Sequence, residues 1–423
     1  MKILMLLKYP LFGSGSGTYA RKLAEKLAED HPKDSVAVFC PNKENIKLKN
    51  VKIYNFDLPF TVASTGHPSW PNAKQFHNLN PEEVDELFTR SLAQVLKVIH
   101  DFRPDVIHVH HALYLTWVAD YIRAVYGTYF VTTIHGTGLL TATQDKRWIP
   151  LTKSALSRSA FINAVSGDTK KWLLKIYKRR GIDRQIRIIT GGIDLQNYPK
   201  RMSTQTIEKK YKLKGKKVVI FVGKLEKHKG VEYLLRAAPK IKGEIFILGS
   251  GEDQDRLQGI AKDLKLRNVH FLGYFGPEYV RELKEFYRRA SVFVFPSTWD
   301  EPLGLVALEA MASYTPVVAS NKGGIPLAVK NGVNGYLVRA RSSKQISDRV
   351  NKILDDPELE SKLGQAARKI VEEKFDWKFI AERFYTYYQR ANAQSKKRLK
   401  RMNLPLDYAR EKQEIKGKRL GYI

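Results

Sequence analysis

VFVFPSTWDEPLGLVALEAMASYTPVVAS, residues Val292–Ser320, reads as a strand, a helix and a strand. VFVF and PVVAS are short apolar runs without alternation, the pattern of strands buried on both faces. Between them Pro302 is a favourable first helical residue and Gly304 clears the first turn, so a helix over 302–312 with accessible N–H groups is expected there. Two carboxylates, Glu301 and Glu309, flank its apolar body.

Outward from this unit the same alternation continues in both directions. KVVIFVG, EIFILGSG and VHFLG precede it with helices between, and an earlier series holds KILMLL, SVAVF, DVIHVH, YFVTTIH, FINAVS and IRIIT. Helix-like stretches at Tyr19–Glu29, Val84–Phe102 and Leu113–Tyr126 separate members of that earlier series. Strands of buried character alternating with helices make parallel sheets covered on both faces, and two series make two α/β domains. The break falls in the polar, basic stretch after Gly191. The expected organisation is an N-terminal domain over 1–193, a linker over 194–215 and a C-terminal domain over 216–377. A helix over 378–393 follows, returning to the N-terminal domain, and then a basic tail over 394–423. In open parallel sheets ligands bind beyond the carboxyl ends of the strands, which directs attention to the loops there and to the crevice between the domains.

Composition narrows the function. A single cysteine, Cys40, forms no intramolecular disulfide and no thiolate metal cluster, in keeping with a cytoplasmic compartment. The apolar start, MKILMLL, ends at Lys8 and Pro10 with no small-residue cleavage site, so it reads as a first strand rather than a leader. The 423 residues carry 73 Lys+Arg against 43 Asp+Glu, a formal net charge of +30, which attracts polyanions: nucleic acid, anionic membrane or phosphorylated small molecules.

The two glutamates lie eight residues apart, which in one continuous helix is about 12 Å of rise, so they cannot meet on one atom. Glycosidase carboxylates stand ~5–9.5 Å apart across one bond. The spacing suits instead two contacts along an extended ligand whose phosphates occupy the helix end between them. VGKLEKHKG, EPLGLVALEAMA, TPVVASNKGGIP and NGYLV, in this order and spacing, resemble the C-terminal half of the retaining GT-B glycosyltransferases of family 4. In the N-terminal half YPLFGSGSGTYARKLAEKLAE, DVIHVHH, TIHGT, AVSGDTKK and GGIDLQNY fall where that family has related segments, so the resemblance spans about residues 1–390.

The resemblance implies a GT-B fold, two Rossmann-like parallel-sheet domains facing across a cleft, and a hexosyltransferase using a nucleoside diphosphate sugar. It places Glu309 on the ribose hydroxyls, Glu301 beside the transferred sugar, and the backbone after Gly304, at Leu305 and Val306, over the diphosphate. Lys224 and Lys229 take the cationic positions that neutralise the leaving diphosphate. Gly15 matches the second of the family's paired glycines, and His135 its donor-facing histidine and a catalytic group. Configuration at the anomeric carbon is retained, with the leaving phosphate helping to deprotonate the acceptor. No metal and no other cofactor is expected. Four positions depart from the family pattern: Ser14 for a glycine, Lys224 for an arginine with its bidentate grip, Tyr314 for a glycine, and Leu327 for a glutamate that bears on donor selectivity.

Other features carry less. GSGSG at Gly13–Gly17 is not a dinucleotide fingerprint, and NGVNGYLV, Asn331–Val338, reads as turn chemistry. His108, His110 and His111 lack a cysteine or acidic ligand cluster beside them, so strand-end packing or an acceptor-side role is the better reading than a metal. The loop 58–81, with Phe60, Trp70 and Phe76, reads equally as an acceptor loop or a packed surface loop. KKWLLKIYKRR, Lys170–Arg180, sets six basic residues around Trp172, Leu173, Ile176 and Tyr177. Such a helix suits the plane of an anionic membrane, and with the tail's KKRLKR it predicts peripheral attachment and a lipid-linked acceptor or cell-surface glycan precursor. The competing reading buries its apolar side. Two further functions stand against transfer: a GT-B sugar-nucleotide epimerase or hydrolase, and, more remotely, a basic nucleic-acid-binding protein, for which no nucleic-acid module is recognisable.

Overall fold

The computed structural model describes residues 1–41, 46–64, 70, 72–178, 182–301 and 303–402. The chain divides into two compact units. One comprises Met1–Ala164, Trp172–Arg187 and the residues from Ala381 onward; the other comprises Val165–Lys171 and Ile188–Ile380.

The first unit is built on β1 (Lys2–Leu6), β2 (Ser35–Cys40), β3 (Val51–Asn55), the short pair β4 (Val62–Ala63) and β5 (Lys74–Gln75), β6 (Val106–His110), β7 (Phe130–Ile134), β8 (Phe161–Ala164) and β9 (Ile186–Ile188). Apart from the short pair these form one sheet in the order β3-β2-β1-β6-β7-β8-β9. β1 is parallel to both neighbours, with Leu4 opposite Ala37 on one side and Ile107 on the other. The helices are α1 (Gly15–Asp30), α2 (Pro81–Phe102), α3 (Tyr114–Tyr126), α4 (Gly136–Gln144), α5 (Ile149–Leu156) and α6 (Gly167–Tyr177), of which Trp172–Tyr177 belong to this unit. α2 starts three residues before its apolar periodicity because Asn80 and Glu83 close a reciprocal capping box ahead of Pro81.

In the second unit the sheet runs β12-β11-β10-β13-β14-β15. Its strands are β10 (Val218–Val222), β11 (Glu244–Leu248), β12 (Val269–Gly273), β13 (Val292–Phe295), β14 (Val317–Ser320) and β15 (Gly335–Val338), all paired in parallel. The helices are α7 (Gln205–Lys210), α8 (Val231–Ala237), α9 (Gln254–Asp263), α10 (Val280–Arg289), α11 (Leu305–Ala312), α12 (Ile325–Ala328), α13 (Ser343–Leu354) and α14 (Pro357–Lys374). Both faces of the sheet are covered. Val218, Ile220 and Val222 of β10 enter one apolar cluster with α10, α11 and α14, while Val219 and Phe221 enter another with α8 and α13. Complete burial on two sides explains why the strands read as unbroken apolar runs.

Four expectations need correction. The stretch 194–215 is not a bare linker: it holds α7, and Ile207 and Leu213 are fully buried in the second unit's core. The last helix, α15, runs from Trp377 to Arg401 rather than ending at 393, because Ser395 and Leu399 are buried. Ser395 Oγ accepts the Tyr129 N–H at 2.9 Å. Only 403–423 of the expected tail lies outside the described residues. Residues 335–338, which looked like turn chemistry, form β15. Finally, the apolar side of Lys170–Arg180 is not free for a membrane. Leu173 and Tyr177 are fully buried in a cluster with Ile134, Leu139 and Ile162, with Trp172 and Ile176 packed against it. Arg179 and Arg180 lie outside the described residues. In the loop 58–81, Phe76 is packed in the first unit's main cluster and Trp70 against Tyr9 and Ala63.

Candidate functional site

In each sheet the connections change direction beside the first strand, between β1 and β6 and between β10 and β13. Such switch points leave a crevice at the strands' carboxyl ends. In the second unit the loop after β10 carries Lys224 and Lys229, and the loop after β13 carries Glu301.

These loops are sewn together by backbone. Thr298 N–H donates to the His228 carbonyl at 2.8 Å, and Leu225 N–H to the Ser250 carbonyl at 2.9 Å. Glycines permit the approach: a Cβ on Gly230 would stand 2.1 Å from the Pro296 carbonyl oxygen, and one on Gly249 1.8 Å from that of Gly223. The result holds Lys229 Nζ 2.6 Å from Glu301 Oε1, to which Ser297 Oγ also donates at 3.1 Å. Glu301 is buried and its charge is matched on the spot. Lys224 is more exposed and pairs with Glu226 at 3.8 Å.

The helix expected over 302–312 begins later, at Leu305. Gly304 takes a left-handed backbone, φ 78°, and interrupts helical continuity, while a Cβ there would meet the Phe295 ring at 2.5 Å. Pro302 lies outside the described residues. Glu301 therefore stands on the loop and not on the helix that carries Glu309. The N-terminus of α11, at Leu305 and Val306, has no side-chain cap. Gly323 and Gly324 close the loop from behind, Gly324 N–H donating to the Glu301 carbonyl at 2.6 Å.

Glu309 is half-buried. Tyr287 Oη donates to Glu309 Oε2 at 2.8 Å, and burial pushes the carboxyl above its ordinary value against the opposing pull of Tyr287 and Lys284. Sequence reasoning missed Tyr287 and Ser297. Ser297 was within reach, four residues before Glu301; Tyr287 sits on α10, and no spacing signals its contact.

In the first unit Gly15 opens α1, and a Cβ there would meet nothing within 4 Å. Gly17 is the glycine that packing demands, 2.3 Å from the Pro10 carbonyl oxygen. His135 Nε2 lies 3.1 Å from His110 Nδ1, and burial lowers His135 to about 3, so its imidazole is neutral. His108 bridges Tyr388 and Thr133 at 2.6 and 2.8 Å. Among the described residues no group of three or more His, Cys, Asp or Glu is arranged to hold a metal ion.

Two family profiles cover most of the chain: glycosyl transferases group 1 matches residues 203–370, and glycosyltransferase family 4 matches 13–197. A glycogen synthase of Mycobacterium tuberculosis is 32% identical over 66% of this chain and 67% of its own. The chain belongs to the family 4 glycosyltransferases. This glycosyltransferase is also 29% identical, over 92% of its length and 98% of the relative's, to an uncharacterized glycosyltransferase of Methanocaldococcus jannaschii. N-acetyl-alpha-D-glucosaminyl L-malate synthase of Bacillus anthracis is 28% identical over 90% of the chain and 94% of its own. The fold is that of sucrose-phosphate synthase from Thermosynechococcus elongatus, at a TM-score of 0.74 and 22% identity over 93% of this chain and 99% of that one. Anabaena HepE, solved with UDP and glucose, gives 0.69 at 19% identity over 92% and 100%. These likenesses make the two sheets a GT-B pair.

The departures from the family pattern acquire physical reasons in this glycosyltransferase. Ser14 caps α1, its Oγ accepting the Gly17 N–H at 3.0 Å. Tyr314 occupies the left-handed position after α11, φ 65°, where glycine is the easier residue. Its ring lies under two guanidinium groups, Arg288 at 5.5 Å and Arg368 at 5.3 Å. Leu327 packs against the second unit's core.

Proposed function

We propose that this glycosyltransferase moves a sugar from a nucleoside diphosphate donor to an acceptor with retention at the anomeric carbon. The observation that carries the reading is the Lys229–Glu301 pair, 2.6 Å apart, at the switch point of the second sheet beside the uncapped start of α11. A cation and a helix N-terminus suit a diphosphate, and the charge that grows on it as the glycosidic bond breaks is where lysine stabilises most. Glu301 orients the sugar and Glu309, held by Tyr287, takes the ribose. The bond from the anomeric carbon to the diphosphate oxygen breaks and the bond to the acceptor oxygen forms on the same face. The acceptor's proton passes to the departing phosphate. His135, neutral, is taken as a hydrogen-bonding group of the first unit in this reading.

HepE's solved complexes with UDP and with UDP and glucose support a nucleotide-sugar donor. The synthases named above favour transfer over epimerisation, hydrolysis or nucleic-acid binding. The reading includes metal-independent chemistry, supported by a donor set of lysines and a helix end in place of a carboxylate cage. The acceptor reading includes a lipid-linked one reached from a peripheral position at the inner face of the membrane; among the described residues no helix is long and apolar enough to cross it.

A thermal-shift panel of nucleotide sugars tests the donor, since a ligand at 100 times its Kd stabilises by ~2.7 kcal/mol. The best donor is then incubated with and without acceptors, in EDTA and in Mg²⁺. Transfer that survives EDTA is expected. Release of free sugar at the same rate with and without acceptor would replace transfer by hydrolysis.

A further inference from the structure

Lys8 follows β1 at the switch point of the first sheet and is 2% exposed. Its Nζ donates to Ser64 Oγ at 2.7 Å and to Tyr9 Oη at 3.2 Å, above the rings of Tyr9 and Phe76 at 4.4 Å each. Among the described residues no carboxylate is paired with it, and burial pulls the amine well below its usual range. Beside it, His111 follows β6 in a left-handed backbone, φ 73°. Its Nδ1 lies 3.2 Å from Thr137 Oγ1, and its ring sits 5.3 Å edge-on to Tyr9 and 4.7 Å from His135. The ring is 3% exposed, and its Nε2 has no hydrogen-bond partner among the described residues.

Thr137 belongs to the first turn of α4, the nine-residue helix that starts at Gly136 with no side-chain cap. His135, Gly136 and Thr137 are partly exposed and form the accessible rim of this cluster. A buried amine without a counter-charge, an unpartnered imidazole nitrogen and an uncapped helix start thus meet at the carboxyl-end edge of the first sheet's central strands. Each is a donor or cation that costs free energy unless an acceptor of negative charge completes it.

We propose that this edge receives an oxyanion carried by the glycosyl acceptor, a carboxylate or a phosphate monoester, held between Lys8, His111 and the first-turn N–H groups of α4 at Thr137. The proposal rests on the transfer reading and names the chemistry of its second substrate. The oxyanion supplies the charge that Lys8 lacks and the partner that His111 Nε2 lacks, and it anchors the acceptor while a hydroxyl elsewhere on the same molecule attacks.

Calorimetric titration of the full chain with inorganic phosphate and, separately, with lactate tests it. Both are run with the donor site filled by a saturating nucleoside diphosphate, so that the diphosphate site of the second unit is closed to them. One of the two anions is expected to bind, and the tighter one distinguishes a phosphate from a carboxylate acceptor. Thr137→Glu, which puts a fixed carboxylate at the partly exposed rim, and Lys8→Met should each weaken that binding at least tenfold and leave nucleoside diphosphate affinity as it was. Should Lys8→Met fail to fold, Thr137→Glu decides alone. Absence of anion binding in a protein that binds the nucleotide, or anion binding unchanged by Thr137→Glu, overturns the proposal. Failure to bind any nucleoside diphosphate counts against the donor reading instead, and the anion titrations, run without nucleotide, are then judged by the same variants.

Discussion

Glu309 and Lys229 make opposite demands on the chain. Glu309 is a carboxyl whose burial raises its pKa, so the folded protein holds that proton more tightly than the unfolded one. Folding then loses stability as pH rises from the ordinary carboxyl range through the raised value, because the folded state binds more protons across that window. Glu309→Gln should therefore equal or exceed the wild type in Tm at pH 7 while donor affinity falls about 10–100-fold, the loss of a charged hydrogen bond. A stability loss together with unchanged donor binding would assign Glu309 to structure. Lys229→Ala should behave differently: it removes the cation facing the leaving group, so kcat should fall ~10²–10³-fold with a smaller change in KM. Steady-state kinetics on the identified donor separates the two. Glu309 drew attention as a carboxylate inside an apolar, glycine-punctuated run, whereas Lys229, in the charged stretch KLEKHKG, was marked by the family resemblance alone. Tyr287 was not legible in the sequence, since its contact with Glu309 joins α10 to α11 through tertiary packing alone.

At the scale of elements, the strands were the most legible part, because burial on two faces writes itself as continuous apolar runs. β15 escaped: Gly335, with φ 155° and a Cβ position 2.1 Å from the Val317 carbonyl oxygen, is a strand residue that reads as a turn. The start of α11 was misplaced for a related reason, since a glycine in a left-handed conformation ends one element as readily as it eases the next. Loop crossings are likewise invisible in sequence. Gly323, φ 52°, would bring a Cβ within 2.4 Å of the Glu301 carbonyl oxygen, so Gly323→Ala should cost roughly 1–3 kcal/mol and shift the loop that holds Glu301. Denaturant unfolding measures the first and donor titration the second; a variant wild-type in both would remove the crossing from the site's support. The edge of β6 and β7 carries its own signature. His108 and His135 are lowered to about 3 by burial, and His110 and His111 well below their usual value. The unfolded chain takes up protons at these groups near pH 6.5 while the folded one does not. Their stabilisation is thus present above about pH 6.5 and lost as pH falls toward the folded values. Tm should drop steeply between pH 6.5 and 4.5, and a flat profile there would mean that the histidines are solvated.

For the whole molecule, the charge of +30 was plain from composition, but its placement was not. The helix expected to present an apolar face to a membrane turns that face into the first unit's core, since Leu173 and Tyr177 have better partners there than lipid. The amphipathic pattern was real; which medium the apolar side met was undetermined by periodicity. Elsewhere on the same unit, exposed charge and exposed apolar side chains lie on two neighbouring helices. Leu399 of α15 packs where a Cβ on Gly127 would stand 2.7 Å from it, just past the end of α3, and so brings the two helices together. On α3, Tyr121 and Val125 are each 42% exposed one turn apart, and on the last turns of α15 Lys396, Lys397, Lys400 and Arg401 are exposed. Basic residues near an anionic leaflet contribute ~1 kcal/mol each before salt screening, and two exposed apolar side chains add contact with the headgroup boundary. The protein should therefore float with phosphatidylserine-containing vesicles at 0.1 M salt and dissociate as salt rises. Reversing the four charges of α15 should reduce vesicle binding at least tenfold and leave transfer to a soluble acceptor intact, whereas Lys171→Glu on α6 should change binding by no more than the loss of one charge. Equal flotation of the wild type and the four-charge variant would return the attachment to some other surface, and no flotation of either would make a soluble acceptor the substrate.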